Sequence, residues 1–159
     1  MNHAFLLIGG NLGDRAAHLT QARDLISHRI GPVRKISAIY ETAAWGLTDQ
    51  PDFYNQALLV TTPLLPEALM QMILAIESDM GRVRKERYGP RVIDIDILLY
   101  NDLVYQSPVV TLPHPRMTER RFVLAPLDEI APEQIHPELN RTIHQLLLQT
   151  TDASPVKKI

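Results

Sequence analysis

The stretch from Gly81 to Tyr100, GRVRKERYGPRVIDIDILLY, decides how the rest of the chain is read. Val92 to Tyr100 is apolar, β-branched and follows the turn pair Gly89-Pro90, which predicts a strand. Side chains on a strand alternate between faces, so Asp94 and Asp96 share one face and Ile93, Ile95 and Ile97 the other. The isoleucine face is expected to enter a core. The acidic face then presents two carboxylates about 6–7 Å apart. At an effective dielectric near 20 their repulsion is roughly 2–3 kcal/mol, so a half-buried pair needs a cation or a shared proton. All-oxygen ligands with no cysteine nearby favour Mg²⁺ over zinc. The first half of the stretch supplies the complement: Arg82, Arg84, Lys85, Arg87 and Arg91 are five cations within ten residues. Cations beside a metal-binding carboxylate pair point to a polyphosphate ligand.

Each half alone has a plainer reading. An isolated Asp-x-Asp pair is more often a solvated edge strand, and a basic loop is more often simply solvated. Their adjacency through Gly89-Pro90-Arg91 favours the functional reading.

Working outward, His3 to Gly9 is a short apolar run, expected to be a central strand. Gly9, Gly10 and Gly13 make a turn, and Asp14 is placed to cap a helix over Arg15–Ile30, which Gly31-Pro32 stops. The turn lacks the Lys-Ser/Thr of a P-loop and the spacing of a dinucleotide fingerprint, so it reads as a plain turn. His18 and His28 have no partner at ligand spacing and take no role. Val33 to Thr42 and Phe53 to Thr61 read as strands, with Ile36, Ala38 and Tyr40 alternating in the first. Pro66 opens a second helix, buried along Leu69, Met72, Ile73, Ile76 and Met80 and ended by Gly81. Beyond the acidic strand, expectations are a short strand at Leu103–Tyr105, a helix at Met117–Leu124, a turn at Leu127–Ile130, a helix at Thr142–Gln149 and a frayed tail from Asp152 to Ile159.

The order β-α-β-β-α-β predicts an α+β, ferredoxin-like core. An extra strand hairpin and C-terminal helices would cover the second sheet face. At 159 residues, 1–159 reads as a single domain. A net charge of −2 argues against a dedicated nucleic-acid binder. An RNA-binding module of this topology would also need an RNP-like run, which is not evident. Zero cysteines exclude disulfides and thiolate chemistry and suit the cytoplasm. No signal peptide or membrane-spanning run is evident, so no membrane partner is expected; the expectation is a cytoplasmic protein, taken as a monomer, with no nucleic-acid partner.

Phe53 and Asn55 are two apart on a strand and share a face. A ring beside an amide suits a flat heterocycle, which stacks on one and hydrogen-bonds the other; Phe122 is a candidate second ring. Core packing is the alternative for both phenylalanines. His114 lies between two prolines, which aim its imidazole, with Arg116, Arg120 and Arg121 following.

Arg87-x-Gly89-Pro90-Arg91-x-x-Asp94-Ile95-Asp96-Ile97-Leu98 resembles the signature of the 6-hydroxymethyl-7,8-dihydropterin pyrophosphokinases. The resemblance continues at Gly9-x-Asn11-Leu12-Gly13-Asp14, Tyr40-x-Thr42, Asp49-Gln50-Pro51-Asp52-Phe53-x-Asn55, Pro113-His114-Pro115-Arg116, Arg120-Arg121-Phe122 and Ile130-Ala131-Pro132. It implies transfer of pyrophosphate from ATP to the pterin's hydroxymethyl group, releasing AMP, with two Mg²⁺ on Asp94 and Asp96 and ATP as cosubstrate. It implies a pterin held between Phe53 and Phe122, with Asn55 and Thr42 reading its polar edge and Trp45 on a closing loop. Arg82, Arg91 and Asp96 would be catalytic. Arg82, Arg84, Arg87, Tyr88, Arg91, Thr111, His114 and Arg120 would contact ATP, and Glu77 would pair with the arginines or reach the nucleotide. Three departures stand out: Tyr88 where the family commonly has Trp, Ala43-Ala44 where prolines are common, and Gly10 for a frequent Ser. A related kinase acting on another heterocycle is the nearest rival, since stacking alone discriminates poorly.

Overall fold

The apolar run Ala4–Ile8 forms the middle of a sheet because both of its faces are covered. Its strand β1 (Asn2–Gly10) pairs antiparallel with β4 (Phe53–Thr62) on one side and β5 (Asp94–Tyr100) on the other. The computed structural model describes residues 1–43, 50–81 and 92–159. Along the far edge of β4 lie β2 (Val33–Ile36) and β3 (Tyr40–Thr42), and β3 pairs in turn with β8 (Lys157–Lys158). The main path therefore runs β5-β1-β4-β3-β8, every pairing antiparallel.

Helices α1 (Arg15–Arg29) and α2 (Pro66–Asp79) cover one face. Leu19, Ala22 and Ile26 of α1 and Leu69, Ile73 and Ile76 of α2 pack there against Ala4, Leu6, Ile8, Leu58, Ile95 and Ile97. Asp14 caps α1 as expected, its Oδ1 accepting from Ala17 N–H at 3.1 Å. Helices α3 (Arg121–Ile130) and α4 (Ile143–Gln149) cover the other face, where Val123, Leu124, Leu127, Ile143 and Leu146 meet Phe5, Leu7 and Ala57. A register shift opposite Phe5/Leu6 lets Leu98 and Leu99 both join this second core.

Several expectations change. The strand expected over Val33–Thr42 is broken at Ser37–Ile39, because the Ser37 hydroxyl accepts from Ala57 N–H at 2.9 Å and takes the place of a ladder bond. Ile36, expected to alternate inward, is 48% exposed. The helix expected at Met117–Leu124 is a 3₁₀ turn, Met117–Glu119, followed after extended Arg120 by α3, which runs through Pro126 and absorbs the turn expected at Leu127–Ile130. An interior proline costs about 3 kcal/mol. The buried row Val123, Leu124, Leu127 and Ile130 offsets that by packing on the sheet. The tail expected to fray instead ends in β8, with Tyr40 opposite Lys158 and Glu41 opposite Lys157. The short strand expected at Leu103–Tyr105 appears as β6 (Tyr105–Gln106), paired with β7 (Thr111–Leu112). Among the described residues, no helix is long and apolar enough to cross a membrane.

Candidate active site

Strand parity places the acids. Ile93, Ile95 and Ile97 are buried beneath α1 and α2, which turns Asp94 and Asp96 to the opposite face, both half-buried. A brace holds this strand: Glu77, only 3% exposed on α2, accepts from Ile95 N–H through Oε2 at 2.8 Å. This bond ties the backbone between the two aspartates to a helix.

Across the sheet the register sets what stands beside them. Gly9 on β1 lies opposite Asp94 on one side and Asn55 on the other, and Leu7 lies opposite Asp96 and Ala57. Thr42 on β3 is opposite Phe53 on β4. Phe122 projects from the first turn of α3. All of these except Ala57, which packs in the second core, line one cleft of about 630 Å³, together with Ala43, His114, Pro115, Arg116, Glu119 and Arg120. The acids and His114 stand on the β5 side of β1; Phe53, Asn55 and Thr42 stand on the β3–β4 side.

His114 is carried in by its backbone, which donates to the Leu98 carbonyl of β5 at 2.9 Å. Its Nδ1 accepts from Arg116 N–H at 3.2 Å, which leaves the proton of the neutral ring on Nε2. Burial pushes its pKa down to about 4, with the Arg120 and Arg116 guanidiniums adding to the effect and Asp94 opposing it. The ring is therefore neutral near pH 7, a hydrogen-bond donor beside cations and not a further positive charge. The Arg120 guanidinium lies 5.7 Å from the centre of the Phe122 ring, so the cationic and aromatic walls are in contact.

The cleft thus unites Thr42, Phe53, Asn55, Asp94, Asp96, His114, Arg120 and Phe122 from the sequence reading. Glu77 and Thr111 are not in its lining: Glu77 braces β5, and Thr111 is exposed on β7. Trp45, Arg82, Arg84, Arg87, Tyr88 and Arg91 lie outside the described residues. Sequence reasoning missed Leu7, Ala43 and Glu119 as lining residues. For Glu119 the signal was its place between His114 and Arg120; nothing local marked Leu7. The turn from Gly10 to Asp14 makes its bonds within the protein. Asn11, 1% exposed, donates to Gln50 Oε1 and to the Pro51 carbonyl, each at 3.0 Å. His18 and His28 bond the backbone carbonyls of Leu12 and Asp24.

The donor set fits Mg²⁺. Asp94 and Asp96 contribute carboxylates only, and no group of three or more His, Cys, Asp or Glu side chains suited to a metal exists among the described residues. A hard ion that keeps waters and takes substrate phosphate oxygens needs no more than one or two carboxylates from the protein.

Fold and cleft define a class: an antiparallel α+β protein with a bipartite cleft, carboxylates and imidazole on one side and a ring-and-amide slot on the other. The chain belongs to the 7,8-dihydro-6-hydroxymethylpterin-pyrophosphokinase family, whose family model matches residues 5–132. It is 44% identical over 138 residues to the 2-amino-4-hydroxy-6-hydroxymethyldihydropteridine pyrophosphokinase of Bacillus subtilis, covering 86% of this chain and 82% of that protein. It is 37% identical to the enzyme of the same name from Aquifex aeolicus, covering 95% of this chain and 94% of that one. It is also 39% identical to the folic acid synthesis protein FOL1 of Dictyostelium discoideum; 99% of this chain is covered, which is 24% of that longer protein. In structure it is similar to the Plasmodium falciparum HPPK-DHPS protein, with a TM-score of 0.78 and 20% identity, over 94% of this chain and 43% of that one.

Proposed function

We propose that this chain transfers pyrophosphate from ATP to 6-hydroxymethyl-7,8-dihydropterin, giving the pterin diphosphate and AMP, in folate biosynthesis. The observation that carries this reading is the order across the sheet: Asp94, Gly9 and Asn55 stand side by side on β5, β1 and β4 within one cleft. A flat heterocycle between Phe53 and Phe122, its edge read by Asn55 and Thr42, lies next to the carboxylates that would hold Mg²⁺. In the reaction the hydroxymethyl oxygen attacks the β-phosphorus, the bond from that phosphorus to the oxygen shared with the α-phosphate breaks, and AMP leaves with that oxygen. The hydroxyl proton passes to solvent. Mg²⁺, when bound, neutralises phosphate charge and acidifies the attacking hydroxyl. The chain's own part is positioning and charge placement. His114 donates from Nε2 toward the phosphates and Arg120 supplies fixed positive charge there. Arg82 and Arg91 are assigned to the charge that develops on the transferred group, Arg84, Arg87 and Tyr88 to ATP, and Trp45 to the pterin side. Glu77 acts through its brace on Ile95.

The β5-β1-β4 order with β2 and β3 sharing the next place supports a ferredoxin-like core, and two apolar cores on opposite faces of one sheet support a single domain. A monomer in the cytoplasm is the state we propose. The test is product analysis with ATP, Mg²⁺ and the hydroxymethylpterin. AMP and the pterin diphosphate are expected, and activity should cease with EDTA. Formation of ADP would replace this reading with ordinary phosphoryl transfer, and turnover of an unrelated heterocycle in preference to the pterin would reassign the substrate.

A further inference from the structure

On the cleft side of β1 the residues step down from Phe5 to Leu7 to Gly9. Glycine in the interior of a central strand is destabilising by roughly 0.5–1 kcal/mol relative to alanine, so it usually marks a close approach. Gly9 has no positive φ that would demand it. What excludes a side chain is space. A Cβ built on Gly9 would overlap Asn55 Oδ1, lie 3.1 Å from Asn55 Cγ and lie 2.9 Å from the Tyr54 carbonyl oxygen. The Asn55 amide leans from β4 across β1, over the Gly9 backbone, and is 5% exposed there. That lean carries the amide toward Asp94, which flanks Gly9 on the other strand.

We propose that Gly9 is a positioning residue for substrate recognition: the gap left by its missing side chain seats the Asn55 amide and so sets where the heterocycle's edge lies relative to Asp94 and Asp96. This rests on the pyrophosphokinase reading above. The amide must reach a fixed edge of a flat ring, and a displacement of about an ångström is enough to lose a hydrogen bond.

The experiment is a double-mutant cycle on Gly9→Ala and Asn55→Ala. Calorimetry measures 6-hydroxymethyl-7,8-dihydropterin in the presence of α,β-methylene-ATP and Mg²⁺, and the nucleotide analogue with Mg²⁺ alone. Gly9→Ala should weaken the pterin roughly tenfold to a hundredfold, the range for a buried hydrogen bond lost or bent. The nucleotide analogue should stay within about twofold, because it does not depend on the amide. In the Asn55→Ala background the same substitution should cost the pterin less than about twofold. Unchanged pterin affinity in Gly9→Ala, an equal loss for both ligands, or a full loss that persists without the Asn55 amide would each overturn the proposal. If Gly9→Ala alone does not fold, recovery of a folded protein in the double variant supports a collision with the amide, and its failure to fold places the collision on the Tyr54 backbone and overturns the proposal. A wild-type protein that binds no pterin would instead refute the pyrophosphokinase reading, and this inference with it.

Discussion

Lowering the pH from 7 to 5 should destabilise the ligand-free protein through His114. Its ring is held at about 4 by burial and by Arg120 and Arg116, against an ordinary value of 6.5. The unfolded chain therefore takes up a proton near 6.5 while the folded chain stays neutral until about 4. Between those values the unfolded state binds more protons, so stability is fully present above the upper one and is lost as pH falls toward the lower. The gap corresponds to about 3 kcal/mol once pH lies below both values, of which about 2 kcal/mol is lost by pH 5. The comparison variant is His114→Asn, whose side-chain oxygen can replace Nδ1 as acceptor for Arg116 N–H but does not titrate. Burial also lowers the pKa of His136, and because both proteins keep His136, its effect cancels in the comparison. Urea unfolding of both proteins at pH 5, 6 and 7 measures the difference. The wild type should lose about 2 kcal/mol more than the variant over that range. Parallel pH dependences for the two proteins would refute a buried neutral imidazole at this position.

Asp96→Ala should lower turnover by roughly two orders of magnitude or more while pterin binding survives, since it removes a proposed metal ligand and leaves the ring-and-amide slot intact; near-normal turnover at saturating Mg²⁺ would rule out that role. Deleting residues 155–159 removes β8 but keeps Asp152, which accepts from Arg121 N–H at the start of α3. The β3 edge is then unpaired and the Lys158–Glu129 contact is gone. About 1–2 kcal/mol of stability should be lost, with concentration-dependent self-association in sedimentation. A shortened chain as stable and as monodisperse as the whole would mean that β8 contributes nothing.

What could be read without coordinates was local. The alternation of Asp94 and Asp96 with Ile93, Ile95 and Ile97 is a period of two within five residues, and burial of the isoleucines follows it. The Asp14 cap spans three residues, and the α2 stripe follows the helical repeat through buried Leu69, Ile73 and Ile76. The misreadings occurred where a distant partner outweighed a local signal. Ser37 breaks a strand because Ala57 offers an N–H, α3 survives Pro126 because the sheet buries its apolar row, and the tail is ordered because β3 has an open edge.

By itself, then, the sequence determined which side chains share a face, because backbone geometry repeats every two or nearly four residues whatever surrounds it. Folding settled which faces meet: that Asp94, Gly9 and Asn55 stand in one row, and that Glu77 turns to the backbone of Ile95. Those neighbours are set by strand register and helix packing over separations of eighteen residues or more, as between Glu77 and Ile95, a range at which no local period carries information.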